Sequence, residues 1–340
     1  MVTDPQPTIS LVMPTIGWEE PFGCCVRAAL AGLGPQDEAF VVFDGSPPPA
    51  PDWLRSSRAA LLSTGQRSGP AAARNLGAQQ ARGAILLFVD ADVELHADAM
   101  ERVRAHFSVD PELAALFGSY DDRPAAPGLV SRFRNLLHHH THSSHPGAAT
   151  TFWAGCGAVR RERFLEVGGF DALAYDRPCI EDIEFGLRLS NTGGPILLDP
   201  TIQGKHHKRW TLRSMLVTDI RQRAIPWSRL LLRRQQSGST TLNLDNAARL
   251  SSLLSLLVVL STALLPLRPN LWPLPLLAAA VFLWINRRFY FLCFRQGGIA
   301  LALVAIPLHG LYFLYSVLCF GLISLEYWGA NSRPAGYPQG

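Results

Sequence analysis

The stretch GAILLFVDADVE, residues 83–94, decides the fold of the first half of this chain. Apolar residues run without a break from Ala84 to Val89, between a glycine and a group of acidic residues. Such a run is typical of a strand that is buried on both faces of a sheet. Ligands bind outside the carboxyl ends of strands in open α/β sheets, which is where Asp90 and Asp92 stand. The pattern predicts a metal site at the mouth of a crevice or, more simply, a polar turn that ends the strand.

The elements around this strand alternate between strand and helix. A serine cap followed by Gly69-Pro70 is typical of a helix start, and a glycine ends that helix before the buried strand. Short joins between such elements imply an α/β fold with a mostly parallel sheet and right-handed crossovers. Asp44, after the second strand, would then lie on the same edge as Asp90. The pattern predicts strands at residues 9–15, 39–43, 58–63, 84–89, 113–119 and 196–202, and helices at residues 20–33, 69–82 and 97–107.

The C-terminal part of the chain is too apolar for a soluble domain. Four arginines are the only charged residues between positions 250 and 325. Residues 250–267 and 299–325 are each long enough to cross about 30 Å of hydrocarbon as helices, whereas residues 271–285 are short for that. We therefore predict about three membrane spans, and no signal peptide in residues 1–20. The expected domains are a catalytic α/β domain (1–204), a basic amphipathic interfacial segment (205–245), a transmembrane region (246–328) and a flexible tail (329–340).

Charge is unevenly distributed along the chain. Residues 205–234 contain nine basic side chains and one acid, whereas the net charge of residues 1–204 is −8 within a total of +4. A basic run beside membrane spans indicates a cytoplasmic membrane surface, because cytoplasmic flanks collect Lys and Arg. It does not indicate nucleic acid, because no base-stacking aromatic platform accompanies it. We expect a multi-pass protein of the cell inner membrane with its catalytic domain cytoplasmic and its C-terminus outside.

Residues 211–234 have helical periodicity, with apolar residues among arginines and a tryptophan. Pro226 should break this segment into two pieces. A basic amphipathic segment before a span is expected to lie in the headgroup plane, where a lipid-linked acceptor would present its headgroup. The six cysteines form no C-x-x-C pair, which fits a reducing compartment better than a disulfide framework.

Five stretches, in order, resemble the motifs of inverting family 2 glycosyltransferases with a Rossmann-like GT-A fold. They are SLVMPTIG, FDGS, GPAAARNLGAQQARGAILLFVDADVE, EVGGFD and EDIEFGLRL. The resemblance covers about residues 8–215. Many members have an aspartate at the position of Phe43, where this chain departs from the pattern. The resemblance implies a UDP- or GDP-sugar donor and a divalent cation, Mg²⁺ or Mn²⁺, which acts as a Lewis acid on the leaving diphosphate.

The same resemblance implies roles for residues that surround the donor. Asp92 is the metal ligand, and Asp90 bridges to the ribose or to a metal-bound water. Asp44 is expected to hold the base or ribose. Arg74 and Asn75, on a helix that begins at the crevice, are expected to help to bind the nucleotide. The alternative for Arg74 is an ordinary exposed helix charge.

A sugar transfer also requires a general base for the acceptor hydroxyl. Direct displacement inverts the anomeric centre, so one carboxylate is enough. Glu181 and Asp182 begin an apolar-periodic helix, and the resemblance favours Asp182 as the base and Glu181 as an acceptor contact. The alternative is an acidic helix start that complements the helix dipole.

The segment GKHHKRW follows the predicted last strand. Resemblance to related membrane transferases implies that it closes over the diphosphate, to which Lys208 and Arg209 offer charge. Trp210 would offer a stacking face for a sugar, and His206 or His207 a third metal ligand. An interfacial role for the basic and tryptophan side chains is an equal alternative.

Two aromatic stretches remain. Trp153, in FWAGCG, is expected either in the acceptor platform or in the core. A zinc site in the histidine tract lacks an obvious Cys or Glu partner, so a solvated or acceptor-lining run is favoured. The tract consists of His138, His139, His140, His142 and His145.

The sequence therefore favours inverting transfer from a nucleotide sugar to a lipid-linked or cell-envelope glycan acceptor at the cytoplasmic membrane face. A nucleotidyltransferase is one alternative. Such an enzyme usually has a glycine- and arginine-rich phosphate-binding loop near the first strand, whereas residues 13–17 contain only one glycine. A non-catalytic membrane scaffold is the other.

Overall fold

The computed structural model describes residues 6–233 and 245–331. The chain divides into two compact units, Met1–Trp210 and Thr211–Gly340, and each is described by itself. All six cysteines are free thiols.

Within the described residues of the N-terminal unit, nine strands form one mixed sheet. Its order is β3-β2-β1-β4-β8-β6-β9-β5, and β7 pairs with β9. Strands β1 to β4 are mutually parallel, whereas β8 runs antiparallel between β4 and β6. The strands are β1 Ile9–Thr15, β2 Glu38–Phe43, β3 Ala60–Ser63, β4 Ile85–Val89, β5 Val93–Leu95, β6 Ala115–Tyr120, β7 Gly147–Ala149, β8 Cys156–Arg160 and β9 Ile196–His206.

Helices follow the strands in the alternation that the sequence predicts. Strands β1 and β4 are completely buried, as expected for central strands that are covered on both faces. This confirms the predicted mostly parallel α/β fold. The helices are α1 Glu20–Ala31, α2 Asp52–Arg55, α3 Gly69–Gln80, α4 Ala99–Val109, α5 Leu129–Ser143, α6 Arg161–Glu166 and α7 Glu181–Asn191.

Strand β9 is longer than predicted. The expected end was residue 202, but the strand continues to His206 and takes in the first part of GKHHKRW. The short strand β5 directly after the D-A-D step explains this extension, because its three residues pair antiparallel with the end of β9. The pairing places Val93 opposite His206. The predicted boundary at residue 204 therefore falls inside a strand.

The C-terminal unit is helical throughout its described residues. Its elements are α8 Leu212–Val217, a π-helical segment Thr218–Ala224, α9 Ile225–Arg233, α10 Asn246–Leu264, a 3-10 turn Pro269–Leu271, α11 Pro273–Ile285 and α12 Arg287–Asn331. Thr211 and Ser214 form a capping box at the start of α8, and Asp245 caps α10. Helix α12 is interrupted at Gly298, where φ is 67°, and contains Pro307.

Pro226 does not separate two pieces of the segment after Thr211. The π-helical segment connects α8 to α9, and Pro226 lies in the first turn of α9, where its missing N–H costs no helical hydrogen bond. The π-helical segment is tied to α12 by Asp219, whose Oδ2 accepts a 2.7 Å hydrogen bond from the Tyr315 hydroxyl.

In the described part of the chain, two helices are long and apolar enough to cross a membrane, Asn246–Leu264 and Arg287–Gly329. The predicted middle span is helical, but it is a shorter apolar stretch, Pro269–Ile285. The predicted flexible tail begins at residue 329, whereas α12 continues to Asn331. Residues 332–340, and residues 234–244 of the predicted interfacial segment, lie outside the described residues.

Candidate active site

One edge of the sheet collects the acidic residues that the sequence singles out. The parallel strands β2 and β4 end side by side with β1, so Asp44 and Asp90 follow strands at the same edge. Strand β8 begins at this edge because it runs antiparallel to β4, and the Asp90 N–H donates to the Gly155 carbonyl at 3.2 Å. The loop before β8 thus brings the N-terminus of α7 to the same place.

The backbone of the loop before β8 holds the side chain of Asp182, the second residue of α7. Asp182 Oδ2 accepts a 3.1 Å hydrogen bond from the Ala154 N–H. Burial raises the pKa of Asp182 to about 7, the charge of Glu181 adds to this, and Arg74 opposes it. A carboxylate with this pKa can accept a proton near neutral pH, which an ordinary surface aspartate does poorly.

Tight glycine packing fixes the same loop. A Cβ on Gly186 of α7 would lie 2.2 Å from the Phe152 backbone nitrogen, and a Cβ on Gly155 would lie 2.3 Å from the Trp153 indole. The helix and the loop can approach this closely only because both positions are glycine. Trp153 is therefore fixed one residue from the backbone donor that binds Asp182.

Arg74 forms a clamp between two acidic residues. Its Nη2 binds Asp90 Oδ1 at 2.6 Å, and its Nη1 binds Glu181 Oε1 at 2.9 Å. Arg74 and Glu181 are each only 5% exposed. The clamp therefore connects helix α3 to the D-A-D step and to the start of α7.

This clamp bears on three sequence-based predictions. Arg74 is buried and paired, unlike an ordinary exposed helix charge. Glu181 is also buried and is directed at Arg74, and its expected contact with the acceptor stays a prediction. Asp90 is engaged by a guanidinium, which favours a role in orienting the D-A-D step over direct metal ligation.

Asn75 holds a loop. Its Nδ2 donates to the Phe170 carbonyl at 2.8 Å, and its Oδ1 accepts from the Phe170 N–H at 3.0 Å. Both polar ends of the amide are thus used by one backbone residue of the EVGGFD motif. The structure gives Asn75 a positioning contact, and the expected nucleotide contact stays a prediction.

Asp44 stabilises the start of α3 from a distant part of the chain. Its carboxylate accepts hydrogen bonds from the N–H groups of Ser68 and Gly69, at 2.8 and 3.1 Å, and from the Thr64 hydroxyl at 3.1 Å. The Ser68 side chain makes no capping hydrogen bond, contrary to the sequence-based expectation. Asp44 therefore supplies the negative charge at this helix N-terminus. Its expected contact with the base or ribose stays a prediction.

Asp92 and His206 face each other because β5 pairs with β9. His206 Nε2 lies 3.7 Å from Asp92 Oδ2, and the Asp92 side chain is 34% exposed. Burial raises the pKa of Asp92, but the interaction with His206 and the charge of Lys208 lower it further than burial raises it. His207 is instead paired with Glu94 at 2.6 Å. Of the two imidazoles, that of His206 lies beside the Asp92 carboxylate, whereas His207 contacts the D-A-D step only through its N–H, which donates to the Asp92 carbonyl at 2.8 Å.

The remaining residues of GKHHKRW differ from one another in exposure. Trp210 is only 6% exposed, its N–H donates to Ser131 at 2.8 Å, and Lys208 Nζ lies 4.4 Å from its ring centroid. Little of the Trp210 side chain is exposed, and its expected sugar-stacking role stays a prediction. Lys208 and Arg209 are exposed, and their expected contact with a diphosphate stays a prediction.

A group of aromatic rings borders Asp92 and Asp182, and we call it the ring wall. Tyr120 stacks on His206 with ring centroids 4.0 Å apart, and it contacts His138 at 4.3 Å and Trp153 at 4.9 Å. His138 also contacts Trp153 at 4.6 Å and His142 at 4.0 Å. The ring wall thus consists of Tyr120, His138, His142, Trp153 and His206.

Comparison with known proteins identifies the fold and the family. Residues 10–168 match the model of glycosyl transferase family 2. These residues therefore form a domain of glycosyl transferase family 2, which we call the family 2 domain. The family 2 domain holds the D-A-D step and four of the five residues of the ring wall, whereas Asp182 and His206 lie beyond the matched residues.

Curated relatives of the family 2 domain are glycosyltransferases. An uncharacterized glycosyltransferase of Haemophilus influenzae is 28% identical over 120 residues, which is 34% of this chain and 48% of that protein. Glycosyltransferase AglE of Haloferax volcanii is 31% identical over 108 residues, which is 30% of this chain and 36% of that protein. The chain thus spans about half or less of the length of these relatives.

A solved structure shares the fold. The mannosyltransferase PcManGT from Pyrobaculum calidifontis, in complex with GDP-Man and Mn²⁺, has a TM-score of 0.54 at 16% identity. The likeness covers 93% of this chain and 87% of that chain. It confirms the predicted GT-A fold with a C-terminal helical region.

The D-A-D step and strand β9 together offer a donor set for a divalent cation. Asp92 and His206 offer an oxygen and a nitrogen ligand at the mouth of the crevice. No group of three or more His, Cys, Asp or Glu side chains that could hold a metal ion occurs among the described residues. Two protein ligands suit a cation that keeps waters and binds substrate phosphates, as Mg²⁺ commonly does.

Two features of the site have no local signal in the sequence. The Arg74–Glu181 pair joins residues 107 positions apart, and Tyr120 ends a strand that reads as core. The histidines of α5 carry a weak signal, because His138 and His142 are four residues apart and so share a helix face. That spacing indicated the shared face but not the rings that it meets.

Proposed function

We propose that this chain is an inverting glycosyltransferase that transfers a sugar from a nucleotide-diphosphate sugar to an acceptor hydroxyl. The observation that carries the proposal is the placement of Asp182, with its raised pKa, at the same sheet edge as Asp92 and His206. Family membership and the glycosyltransferase relatives support it.

Asp182 is the general base in this proposal. Its Oδ2 is oriented by the Ala154 N–H, and its raised pKa suits removal of a proton from the acceptor hydroxyl as that oxygen attacks the anomeric carbon. The nucleoside diphosphate leaves from the opposite face of the sugar, so the configuration inverts. Arg74 keeps the D-A-D step and α7 in register during the attack.

Asp92 and His206 would hold a Mg²⁺ or Mn²⁺ ion, which would stabilise charge on the departing diphosphate when bound. The structural neighbour that was solved with GDP-Man and Mn²⁺ supports this assignment and a nucleotide-sugar donor, which the family resemblance implies to be a UDP- or GDP-sugar. Exposed Lys208 and Arg209, next to this pair in sequence, would add positive charge beside the diphosphate.

The helices of the C-terminal unit support a membrane location. Two of them are long and apolar enough to span a bilayer, and nine basic residues precede them at positions 205–234. We place the protein in the inner membrane as a multi-pass protein, with the catalytic domain cytoplasmic. A lipid-linked or cell-envelope glycan acceptor follows from that location.

The deciding experiment measures the leaving group and the stereochemistry. The full-length protein, purified in detergent with Mn²⁺, is incubated with UDP- and GDP-sugars and membrane lipids. We expect release of nucleoside diphosphate and a product of inverted anomeric configuration by NMR. The Asp182→Asn variant should lose transfer but still bind the donor, and Asp92→Ala should lose metal-dependent donor hydrolysis. Release of pyrophosphate would identify a nucleotidyltransferase instead, and no turnover with any donor would favour a scaffold.

A further inference from the structure

Polar contacts inside the helical C-terminal unit fix where its longest helix ends. We propose that α10 and α11 cross the bilayer as a hairpin and that α12 makes no net crossing. The end of α12 then lies on the same face of the membrane as α8, the π-helical segment and α9, which we call the basic helices (residues 212–233). This differs from the three spans that the composition predicts, which would place the end of the last span on the opposite face. The inference rests on the membrane location in the proposed function and specifies how the chain is arranged there.

Helices α10 and α11 form an antiparallel hairpin. Asn286, directly after α11, donates from Nδ2 to the Ser251 hydroxyl near the start of α10 at 3.0 Å. The 19 residues of α10 would extend about 28 Å, close to the thickness of the hydrocarbon core. The turn between the helices contains Arg268, whereas the open end of the hairpin contains Arg249, Arg287 and Arg288. The open end therefore marks the cytoplasmic face, because cytoplasmic flanks collect Lys and Arg.

The first part of α12 is too short to cross the membrane. It begins at Arg287, at the open end of the hairpin, and it is interrupted at Gly298, where φ is 67°. The residues between these two positions would extend about 15 Å as a helix, which is half of the hydrocarbon core. Arg295 lies in this part, and its charge would be costly inside the core.

The second part of α12 returns to the open end of the hairpin. The Tyr290 hydroxyl, in the first turn of α12, lies 3.3 Å from His309 Nδ1. Phe313 contacts Phe282, in the last turn of α11, with ring centroids 6.0 Å apart. Only residues 299–308 are thus left to lie deeper, and they would extend about 15 Å. The second part does not reach the opposite face either.

The end of α12 pairs with the basic helices. The Tyr315 hydroxyl donates to Asp219 Oδ2 at 2.7 Å, and Arg229 Nη2 lies 3.4 Å from Glu326 Oε2. The two contacts are about equally far apart on both partners, so the helices run side by side in the same direction over about 15 Å. Asp219 is only 3% exposed, and Arg223 donates to its other oxygen at 2.8 Å. A buried carboxylate that is paired on both oxygens fixes the register of the two helices.

The basic helices do not suit the hydrocarbon core. Residues 212–233 contain five arginines and one acid, and charged side chains are costly inside a bilayer. An amphipathic basic segment instead lies in the headgroup plane. The end of α12 lies at the same face because it is paired with that segment. Tyr327 and Trp328 follow the paired stretch, and both residue types are enriched at membrane–water interfaces.

The test labels thiols from one side of the membrane. Trp272, in the hairpin turn, and Trp328, near the end of α12, are 61% and 68% exposed and form a matched pair. Each is replaced by cysteine in the full-length protein, and sealed spheroplasts receive a membrane-impermeant maleimide. We expect Trp272→Cys to gain labelling over the wild type from outside. We expect Trp328→Cys to gain it only after the membrane is permeabilised.

A second pair guards against a variant that does not fold. Leu267→Cys and Leu325→Cys, at positions that are 77% and 73% exposed, should repeat the result of the tryptophan pair. Labelling of the α12 variants from outside, or protection of the turn variants until permeabilisation, would overturn the inference alone. Loss of the wild type from carbonate-washed membranes would overturn the proposed membrane location and this inference with it. The labelling needs no catalysis, so absence of sugar transfer would overturn the proposed activity and leave this inference standing.

Discussion

At the scale of single residues, the Asp182 carboxylate has the most direct effect on the proposed chemistry. Because its pKa is raised to about 7, the base is protonated and inactive below that pH. We expect kcat/KM to rise with pH and to level off above about pH 7. A pH–rate profile of the full-length enzyme checks this. A flat profile from pH 5.5 to 8.5 would contradict the assignment.

Glu181 offers a control on the cause of this shift. Its negative charge raises the pKa of Asp182, so the Glu181→Gln variant should move the rise in kcat/KM to lower pH. Asp182→Asn should reduce kcat about 10²- to 10⁴-fold at every pH, because no base remains.

The raised pKa of Asp182 also affects stability, since the folded state retains a proton that the unfolded chain releases. This contribution is present below about pH 4 and is lost as the pH rises to about 7.

The two adjacent histidines of β9 and its following loop provide a matched pair for the metal site. His206 faces Asp92, whereas His207 is paired with Glu94. We predict that His206→Ala weakens Mn²⁺ binding in the presence of GDP or UDP about tenfold or more, and that His207→Ala changes it little. Electron paramagnetic resonance of free Mn²⁺ measures both. Equal effects of the two variants would remove His206 from the metal site.

At the scale of elements, the start of α3 depends on Asp44. The carboxylate accepts two backbone N–H groups at the helix N-terminus, and it is buried. Asp44→Ala should lower the free energy of unfolding by about 1–2 kcal/mol, because those donors lose their partner. Thermal unfolding of the full-length protein in detergent is the measurement. Asp52→Ala, on exposed α2, is the control, and an equal midpoint for the two variants would contradict the capping role.

The elements that could be predicted from the sequence are those with a clear local pattern. Strands β1, β2 and β4 are apolar runs bounded by polar residues, and each was expected within one residue of its position. Strands β5 and β7 were not expected, because each has three residues and a strand that short has no readable alternation. The end of β9 was missed because its polar residues, including Gln203 and Lys205, resemble a loop.

The positions of the acidic residues in the site could be predicted from the sequence, but their contacts could not. Asp44, Asp90, Asp92 and Asp182 stand at strand ends or a helix start, so topology alone brings them to one edge. Their partners depend on tertiary pairing that no local pattern encodes. Arg74, for example, reads as a surface helix residue, but its partners are 16 and 107 residues away.

At the scale of the whole molecule, the composition predicted a second, membrane-related unit, and the structure divides the chain into two units after Trp210. We predict that the full-length protein stays in the membrane fraction after a carbonate wash, because Asn246–Leu264 and Arg287–Gly329 are long apolar helices. Immunoblotting of the washed membranes measures this. Recovery of the protein in the wash would refute the assignment of these helices to the membrane.

The number of long apolar helices was less predictable than the apolar character of this part of the chain. The apolar pattern continues from residue 250 to residue 325 with few charges, so it does not show where one helix ends. The structure contains a 45-residue helix, α12, which would be about 68 Å long if it were straight, roughly twice the thickness of the hydrocarbon core.

Gly298 divides this helix in a way that bears on how deeply the chain inserts. Its φ of 67° and ψ of −168° belong to a backbone region that is essentially restricted to glycine. The part of α12 before it holds Arg287, Arg288 and Arg295, and the part after it holds no charged residue until Glu326. A chain that changes direction at Gly298 can leave its guanidinium groups in water while only the later part enters the lipid. An alanine at this position would disfavour this backbone conformation and favour a straight helix. A straight helix would bring the three arginines closer to the hydrocarbon core of a bilayer.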